Sequence, residues 1–482
     1  MLWRMSKKIS FVLKGKVVEE CPPATLTVLD YLREQAHLTG TKEGCGQGDC
    51  GACTVGIAKL GANGELEYSP TNSCIRFLSS LDGAAVITVE DLDQSHPAQK
   101  AMVECHASQC GFCTPGFVMS LAVAHERQCG QELSREQVGD AISGNLCRCT
   151  GYRPIVEAGM NMADYVSSQN IPVKQWWHPE QLLPKLQGIQ PSKSLESLLI
   201  DRARNPDAQV IAGCTDVGLW VTKQHQHFSQ TIDVTEVAEL HEIELMSDQM
   251  TIGCAANLER SFDALAQWSG LASAGNQKVV HGFAHRFAGK PIRSTGTLGG
   301  NVANGSSIGD SMPLLLAMGA SVRLQSVDSQ HDMAIEDFYL GYRKTALAAD
   351  EILTHVLVPA QPAGSRLFAY KVSKRFEDDI SAVCLVARLT IVGVKITQAR
   401  LGVGGMAATP KRAYATEQAL EGKAAELATF SQVRVVLNSE FAPLSDMRAS
   451  AQYRTAVLSN LLLKVFRDLE GLHVTSVLEV SI

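Results

Sequence analysis

Gly44-Cys45-Gly46-Gln47-Gly48-Asp49-Cys50-Gly51-Ala52-Cys53 places three cysteines within one glycine-rich stretch, and Cys74 follows after 20 intervening residues. The spacing C-x4-C-x2-C…C is the one that brings four thiolates around a [2Fe–2S] cluster. Each iron needs two thiolates beside its two bridging sulfides, so two irons take four cysteines. A loop supplies three, and a distant strand or turn supplies the fourth. The interleaved glycines let backbone approach the cluster and aim N–H groups at its sulfurs. A structural zinc site with four cysteines is the alternative; the glycines at 46, 48 and 51 favour the cluster. Gly46-Gln47-Gly48-Asp49-Cys50-Gly51 also fits the dinucleotide pattern GxGxxG. That match sits between cysteines and precedes a strand rather than a helix, so it is set aside.

The chain has 482 residues, for which about three domains are expected at roughly 150 residues each. Lys and Arg total 43 against 50 Asp and Glu, a formal charge of −7. That balance argues against nucleic acid as the main partner. The composition, 45% hydrophobic and 19% charged, is that of a globular chain. Cysteine is the unusual count: 14, of which 10 lie from Cys45 to Cys149. No apolar run reaches the ~18–20 residues of a membrane helix. The best stretch, 456–465, holds a serine, an asparagine and a lysine. Arg4, Lys7 and Lys8 precede an apolar run too short for a secretory signal. A cytoplasmic, reducing location is expected, where cysteines are metal ligands or free thiols rather than disulfides.

Residues 6–90 read as short strands and one helix. Runs 8–13 and 16–20 flank Lys14-Gly15, a hairpin signal. Val28, Leu29 and Leu32 have helical spacing within 27–35, and 54–60 reads as a strand. Residues 91–165 read as helical. Pro115 opens 116–127, Ser134 with Gln137 forms a capping box, and Pro154 opens 155–166. Residues 166–190 read as a linker, with Ser167-Ser168, Pro172, Pro179 and Pro184, docked by Trp176-Trp177. The remainder alternates strands and helices, with strands at 209–212, 250–255, 320–325, 352–358, 382–392 and 395–401.

Cys110-Gly111-Phe112-Cys113 and Cys147-Arg148-Cys149 make a second group of four. From spacing alone they suit zinc or a second cluster equally. Two helix–loop junctions facing each other tip the balance, since helix N-termini stabilise thiolates. With their flanks, Gln109 to Gly116 and Leu146 to Ile155, these motifs resemble the iron–sulfur domains of the molybdenum hydroxylases. The resemblance implies a ferredoxin-like β-grasp [2Fe–2S] domain, with Cys45, Cys50, Cys53 and Cys74 as ligands. It implies a four-helix [2Fe–2S] domain with Cys110, Cys113, Cys147 and Cys149. In relatives, Gln109 and Cys149 match positions near the pterin of a molybdopterin cofactor.

The second half has two glycine-rich turns, each of which alone reads more readily as a tight turn than as a cofactor loop. Together they resemble the flavin part of the same family. That implies a vanillyl-alcohol-oxidase-type FAD domain and a C-terminal α/β flavoprotein domain. Val210-Ile211-Ala212-Gly213-Cys214-Thr215-Asp216-Val217 match the first FAD loop, and Thr297 with Leu298-Gly299-Gly300-Asn301 match the second. Phe287, Asp310, Leu353 and Lys371 match further flavin contacts. Lys374-Arg375-Phe376-Glu377-Asp378-Asp379-Ile380 resembles a charged loop over the flavin, with a solvated loop as the alternative; Tyr342 is placed toward the nicotinamide. The expected domains are 6–90, 91–166, a linker at 167–190, 191–362 and 363–482.

No molybdopterin domain follows within the sequence, so the substrate-oxidising half is expected in a partner chain. The order cluster, cluster, FAD resembles the small subunit of the xanthine-dehydrogenase type, paired with a large molybdopterin subunit in a heterotetramer. The resemblance implies electrons passing from the molybdenum partner through both clusters to FAD and then NAD⁺, supporting hypoxanthine and xanthine oxidation to urate. It assigns no catalytic side chain here. The alternatives are the same subunit in an aldehyde or N-heterocycle hydroxylase, and a zinc-stabilised scaffold. The remaining cysteines, Cys21, Cys105, Cys129, Cys214, Cys254 and Cys384, are expected to be ordinary thiols.

Overall fold

The structure is a computed structural model that describes residues 7–61, 63–167, 177–191, 193–376 and 378–471. Arg4, Ser168, Pro172, Trp176 and Glu377, all invoked above, lie outside the described residues. The chain divides into two compact units. One runs to Glu239 and also takes Ala288–Thr297; the other holds Leu240–Phe287 and everything from Leu298 on.

The first unit opens with a five-stranded sheet. Its order is Lys16–Glu20, Ile9–Leu13, Ala85–Ile87, Thr54–Leu60, Leu66–Asn72. The hairpin at Lys14-Gly15 forms as expected, with Gly15 at φ 68°. Strand alternation sends Phe11, Leu13, Val55, Ile57 and Val86 to one face. Val28, Tyr31 and Leu32 cover that face. Thr27 caps their helical turn, which widens into a π-turn at Tyr31–Gln35.

The opposite face presents Val12, Ala58, Tyr68, Ala85 and Ile87 to a helical layer. Its helices are Pro97–Glu104, Thr114–Arg127, Arg135–Ala141 and Arg153–Ser167. The capping box at Ser134 and Gln137 is present in both directions. His96 caps the first of these helices, its Nδ1 accepting the Ala98 N–H at 3.1 Å.

The expected linker is not all linker. Pro179–Gln187 is a helix despite Pro184 inside it. Pro179 suits a first turn, and burial of Leu182 and Leu186 against the same core offsets the hydrogen bond that Pro184 cannot donate. Trp177 anchors its start. The indole packs edge-on against Tyr68 at 5.0 Å, over Gly56, where a Cβ would come 2.6 Å from the ring.

The second unit has two larger antiparallel sheets besides the short pair Tyr339–Gly341 and Lys344–Thr345. The first orders Gln330–Ala334, Ser321–Gln325, Ile352–Pro359, Gln249–Gly253 and Ile243–Leu245. The second orders Arg366–Val372, Val383–Val392, Lys395–Gly404 and Lys411–Arg412. Helices Leu427–Glu440 and Ala451–Leu469 pack Phe430, Leu437, Leu462 and Phe466 onto that second sheet. The expected strands recur with ends shifted by a few residues at most. No helix among the described residues is long and apolar enough to cross a membrane.

Trp177→Ala removes the indole from this closely packed seat. We expect it to destabilise the first unit by about 3–5 kcal/mol, the usual loss for a buried aromatic. Denaturant unfolding followed by near-UV circular dichroism checks this.

Candidate functional site

The first cysteine group folds as a loop wrapped around its own sulfurs. Gly46, Gly48 and Gly51 take positive φ of 60°, 74° and 67°, which a side chain resists. These turns aim amides inward. The N–H groups of Gln47, Asp49 and Cys50 each donate to Cys45 Sγ at 3.4 Å. Gly48 donates to the Cys74 sulfur and Ala52 to that of Cys50. The four sulfurs converge: Cys45 reaches Cys50 and Cys74, and Cys74 reaches Cys53. Space is tight, since a Cβ at Gly44 would sit 2.7 Å from Cys50 Sγ. A loop with three sulfurs, a fourth brought in by the turn at Cys74, and a set of inward N–H donors fit an anionic cluster better than a bare zinc ion.

The second group forms where two loops meet. Cys113 is the N-cap of Thr114–Arg127, so its sulfur sits at the positive end of a 14-residue helix. Its thiol bonds that of Cys147, and Cys149 bonds Cys110. Burial pushes the Cys113 thiol up to about 12, with the Cys147 thiol adding to the shift. Thr150 holds Cys147 Sγ through its N–H at 3.4 Å and its hydroxyl at 3.1 Å. Tyr152 Oη takes the Cys147 N–H at 3.0 Å. Cys110 and Cys149 are exposed, with exposed Gln109, Phe112 and Leu146 around them.

The two loops also touch each other. Leu146 N–H donates to Cys50 C=O at 2.9 Å. Asn145, buried, donates from Nδ2 to Gly51 C=O at 3.1 Å and to Thr54 Oγ1 at 3.4 Å. Its Oδ1 accepts from Ser120 Oγ at 2.7 Å. Sequence reading passed over Asn145, because its partners lie 25 to 94 residues away.

A third donor cluster, His96, His125 and Glu126, is fully buried. It does not suit a metal. His96 Nδ1 spends its lone pair on the Ala98 N–H, so the neutral ring carries its proton on Nε2. That nitrogen faces Glu126 Oε1 at 3.6 Å as a donor, not as a ligand.

Residues 210–217 lie in the first unit. The strand Gln209–Ile211 pairs in parallel with Thr231–Asp233, and Val217–Thr222 begins a helix after the turn. Gly213 is required there: a Cβ would fall on the Thr295 carbonyl. Cys214 takes φ 60° and is buried. Burial pushes its thiol up to about 12. Lys223, just after that helix, donates to Cys45 C=O at 2.5 Å, tying this turn to the first cysteine loop. Thr297 is buried at the end of the 288–297 segment. Lys290 Nζ pairs with Asp140 at 2.6 Å, and Arg293 binds the same carboxylate.

In the second unit, Leu298–Asn304 is helical, and Gly299 packs on Cys254 so closely that a Cβ would overlap it. Asn301 Oδ1 accepts from Ser311. Asp310 and Lys371 form a buried ion pair at 2.8 Å. Ser381 also donates to Asp310, and Lys371 donates to Arg286 C=O at 2.7 Å. Phe287 packs on Phe262, and Leu353 is buried in the central strand. Arg286, missed in the sequence, holds the 374–380 loop. It donates to the carbonyls of Lys371 and Phe376 and lies 4.4 Å from the Phe376 ring centre. Tyr342 is exposed in the turn between Tyr339–Gly341 and Lys344–Thr345.

Asp233 ends the strand beside the 209–211 strand and is buried. Burial, then the charge of Glu236, raises its carboxyl to about 6. A carboxyl raised on folding is most favourable to the native state at low pH. Its contribution is fully present below the unfolded value of 3.8 and is lost as pH rises through about 6. The span corresponds to about 3 kcal/mol. Asp233→Asn keeps the acceptor for Thr235, and we expect it to remove this decline between pH 4 and 6. Unfolding midpoints across that range, mutant against parent, measure it.

Comparison with known proteins matches four segments of the chain. Residues 11–76 match the 2Fe-2S iron-sulfur cluster binding domain, and 88–160 match the [2Fe-2S] binding domain. Residues 185–361 match the FAD binding domain in molybdopterin dehydrogenase. Residues 368–469 match the CO dehydrogenase flavoprotein C-terminal domain. The chain is 31% identical over 456 residues to xanthine dehydrogenase/oxidase of Mus musculus, covering 83% of this chain and 34% of that one. It is 32% identical over 480 residues to xanthine dehydrogenase of Oryza sativa subsp. japonica, covering 83% and 35%. The chain thus spans about a third of the length of these relatives. Among solved structures, reconstituted CO dehydrogenase from Oligotropha carboxidovorans is similar at TM-score 0.52 and 25% identity, covering 56% of this chain and 93% of that one. Quinoline 2-oxidoreductase from Pseudomonas Putida 86 shares the fold at TM-score 0.52 and 22% identity, covering 57% and 93%. The chain carries, in one polypeptide, the two 2Fe-2S domains and the two flavoprotein domains of the iron–sulfur and FAD part of the molybdenum hydroxylases.

Proposed function

We propose that this chain is the electron-carrying subunit of a xanthine-dehydrogenase-type enzyme, working with a large molybdopterin-binding partner and delivering electrons to NAD⁺. The observation that carries the reading is the pair of convergent four-sulfur sets in one unit, on a chain that continues into an FAD-binding domain. Cys45, Cys50, Cys53 and Cys74 would hold one [2Fe–2S] cluster, and Cys110, Cys113, Cys147 and Cys149 the other. FAD would be held by 210–217, Phe287, Thr297, 298–301, Asp310, Leu353 and Lys371. When bound, the clusters would relay single electrons, and the flavin would combine two of them with a proton from solvent to supply hydride to NAD⁺.

The residues prepare that chemistry. Inward N–H groups at Cys45 favour electron-rich sulfur and tune its potential. The positive φ of Cys214 turns the backbone sharply within 210–217, where N–H groups can meet a pyrophosphate. The buried Asp310–Lys371 pair fixes an ammonium and a carboxylate without water between them. The exposed sulfurs of Cys110 and Cys149, rimmed by Phe112 and Leu146, suit the side from which a partner hands over electrons. No side chain is needed as a general base. The domains follow as 6–90 and 91–166 for the clusters, and 191–362 and 363–482 for the flavoprotein part, in a cytoplasmic heterotetramer.

Iron, acid-labile sulfide and flavin analysis tests the cofactor content; about four irons and one FAD per chain are expected. Cys113→Ser is expected to halve the iron and leave the flavin. The complex with its large partner is expected to form NADH from xanthine and NAD⁺. Full cofactor content without NADH contradicts the xanthine assignment and points to an aldehyde or N-heterocycle hydroxylase. Zinc in place of iron overturns the reading altogether.

A further inference from the structure

We infer that Asn145 is a positioning residue for electron transfer between the two cysteine sets, and that the Leu146–Cys50 hydrogen bond is the through-bond crossing it holds. The inference rests on the reading that both sets hold [2Fe–2S] clusters.

Three structural pieces must keep a fixed distance for electrons to cross. They are the Cys45–Cys53 loop, the Cys147–Cys149 loop and the helix that begins at Cys113. Asn145 is bonded to the first and third and belongs to the segment entering the second. Nδ2 binds the first loop at Gly51 C=O, one residue from Cys50 and two from Cys53. Oδ1 binds Ser120 on the Cys113 helix. Its own chain continues through Leu146 into Cys147. All these polar contacts are buried, so water does not compete for them.

The fit around this amide is built from both sides. A Cβ at Gly51 would lie 2.5 Å from Gly144 C=O and overlap the Asn145 amide. A Cβ at Gly116 would overlap Gly51 C=O. Glycine at both places lets three backbones close on one side chain. With the loops so held, Leu146 N–H meets Cys50 C=O at 2.9 Å. From Cys147 Sγ to Cys50 Sγ the route is then covalent except for that one hydrogen bond. In the transfer, the donor side is oxidised by one electron and the acceptor side reduced by one. No bond is made or broken, and no proton needs to move.

The test uses the full chain reduced with dithionite. The parent must first show iron for both sets; its absence there defeats the cluster reading, not this inference. Two clusters reduced together split each other's low-temperature EPR lines, and the splitting depends on their separation and connection. Asn145→Ala is expected to retain both signals and full iron while the splitting collapses. Freeze-quench after substoichiometric dithionite is expected to show severalfold slower equilibration between the signals. Asn145→Asp keeps the shape but turns an oxygen toward Gly51 C=O, and it is read where the alanine variant loses iron; the same loss of splitting is expected. Ser120→Ala cuts only the tie to the helix and is expected to keep most of the splitting. Unchanged splitting and rate in the Asn145 variants overturn the inference. So does a Ser120→Ala effect as large as theirs, or iron loss in both Asn145 variants, which assigns the residue to cluster retention instead.

Discussion

Four thiolates can share two irons only if the chain bends back on itself within a few residues and still has N–H groups left to face the sulfur charge. That constraint is met by left-handed backbone at Gly46, Gly48 and Gly51. An L side chain there costs about 1 kcal/mol or more in strain. The loop's inward amides then follow from its path rather than from any added residue. Much of the first unit serves to hold this loop. The sheet supplies Cys74 at the end of the Leu66–Asn72 strand, and Cys53 leads directly into Thr54–Leu60. The helical layer that backs the sheet carries the second set of sulfurs.

The same logic of close backbone approach recurs in the flavoprotein part. Gly213 abuts the Thr295 carbonyl, and Gly299 abuts Cys254. In both places a side chain would collide with a neighbouring stretch of chain. Charge is handled differently. The cluster loops rely on peptide dipoles, whereas the second unit buries a full ion pair, Asp310–Lys371, with Ser381 and the Arg286 carbonyl as further partners. A buried pair adds little net stability but fixes geometry, and removing one member typically costs about 3–5 kcal/mol.

Legibility differed by kind of interaction. The cysteine spacings, the Lys14-Gly15 hairpin and the Ser134 capping box were readable because each is local in sequence. The Pro179–Gln187 helix was not, because its prolines argue against it and only burial of Leu182 and Leu186 argues for it. Asn145 and Arg286 were invisible for a related reason. Their partners are chiefly backbone carbonyls and hydroxyls, which leave no pattern at any fixed spacing. The reading of 210–217 and 297–301 as flavin loops comes from resemblance alone. Nothing in composition or periodicity announces that 288–297 leaves its sequence neighbours to join the first unit.

The central claim is that two distinct four-cysteine sites on this chain each hold a redox-active cluster. EPR spin quantitation of the dithionite-reduced chain addresses it most directly. The account predicts two distinguishable iron–sulfur signals of equal intensity, since the sulfur surroundings differ: Cys53 and Cys74 are buried, whereas Cys110 and Cys149 are exposed. A single signal, or none in a folded chain, would contradict it.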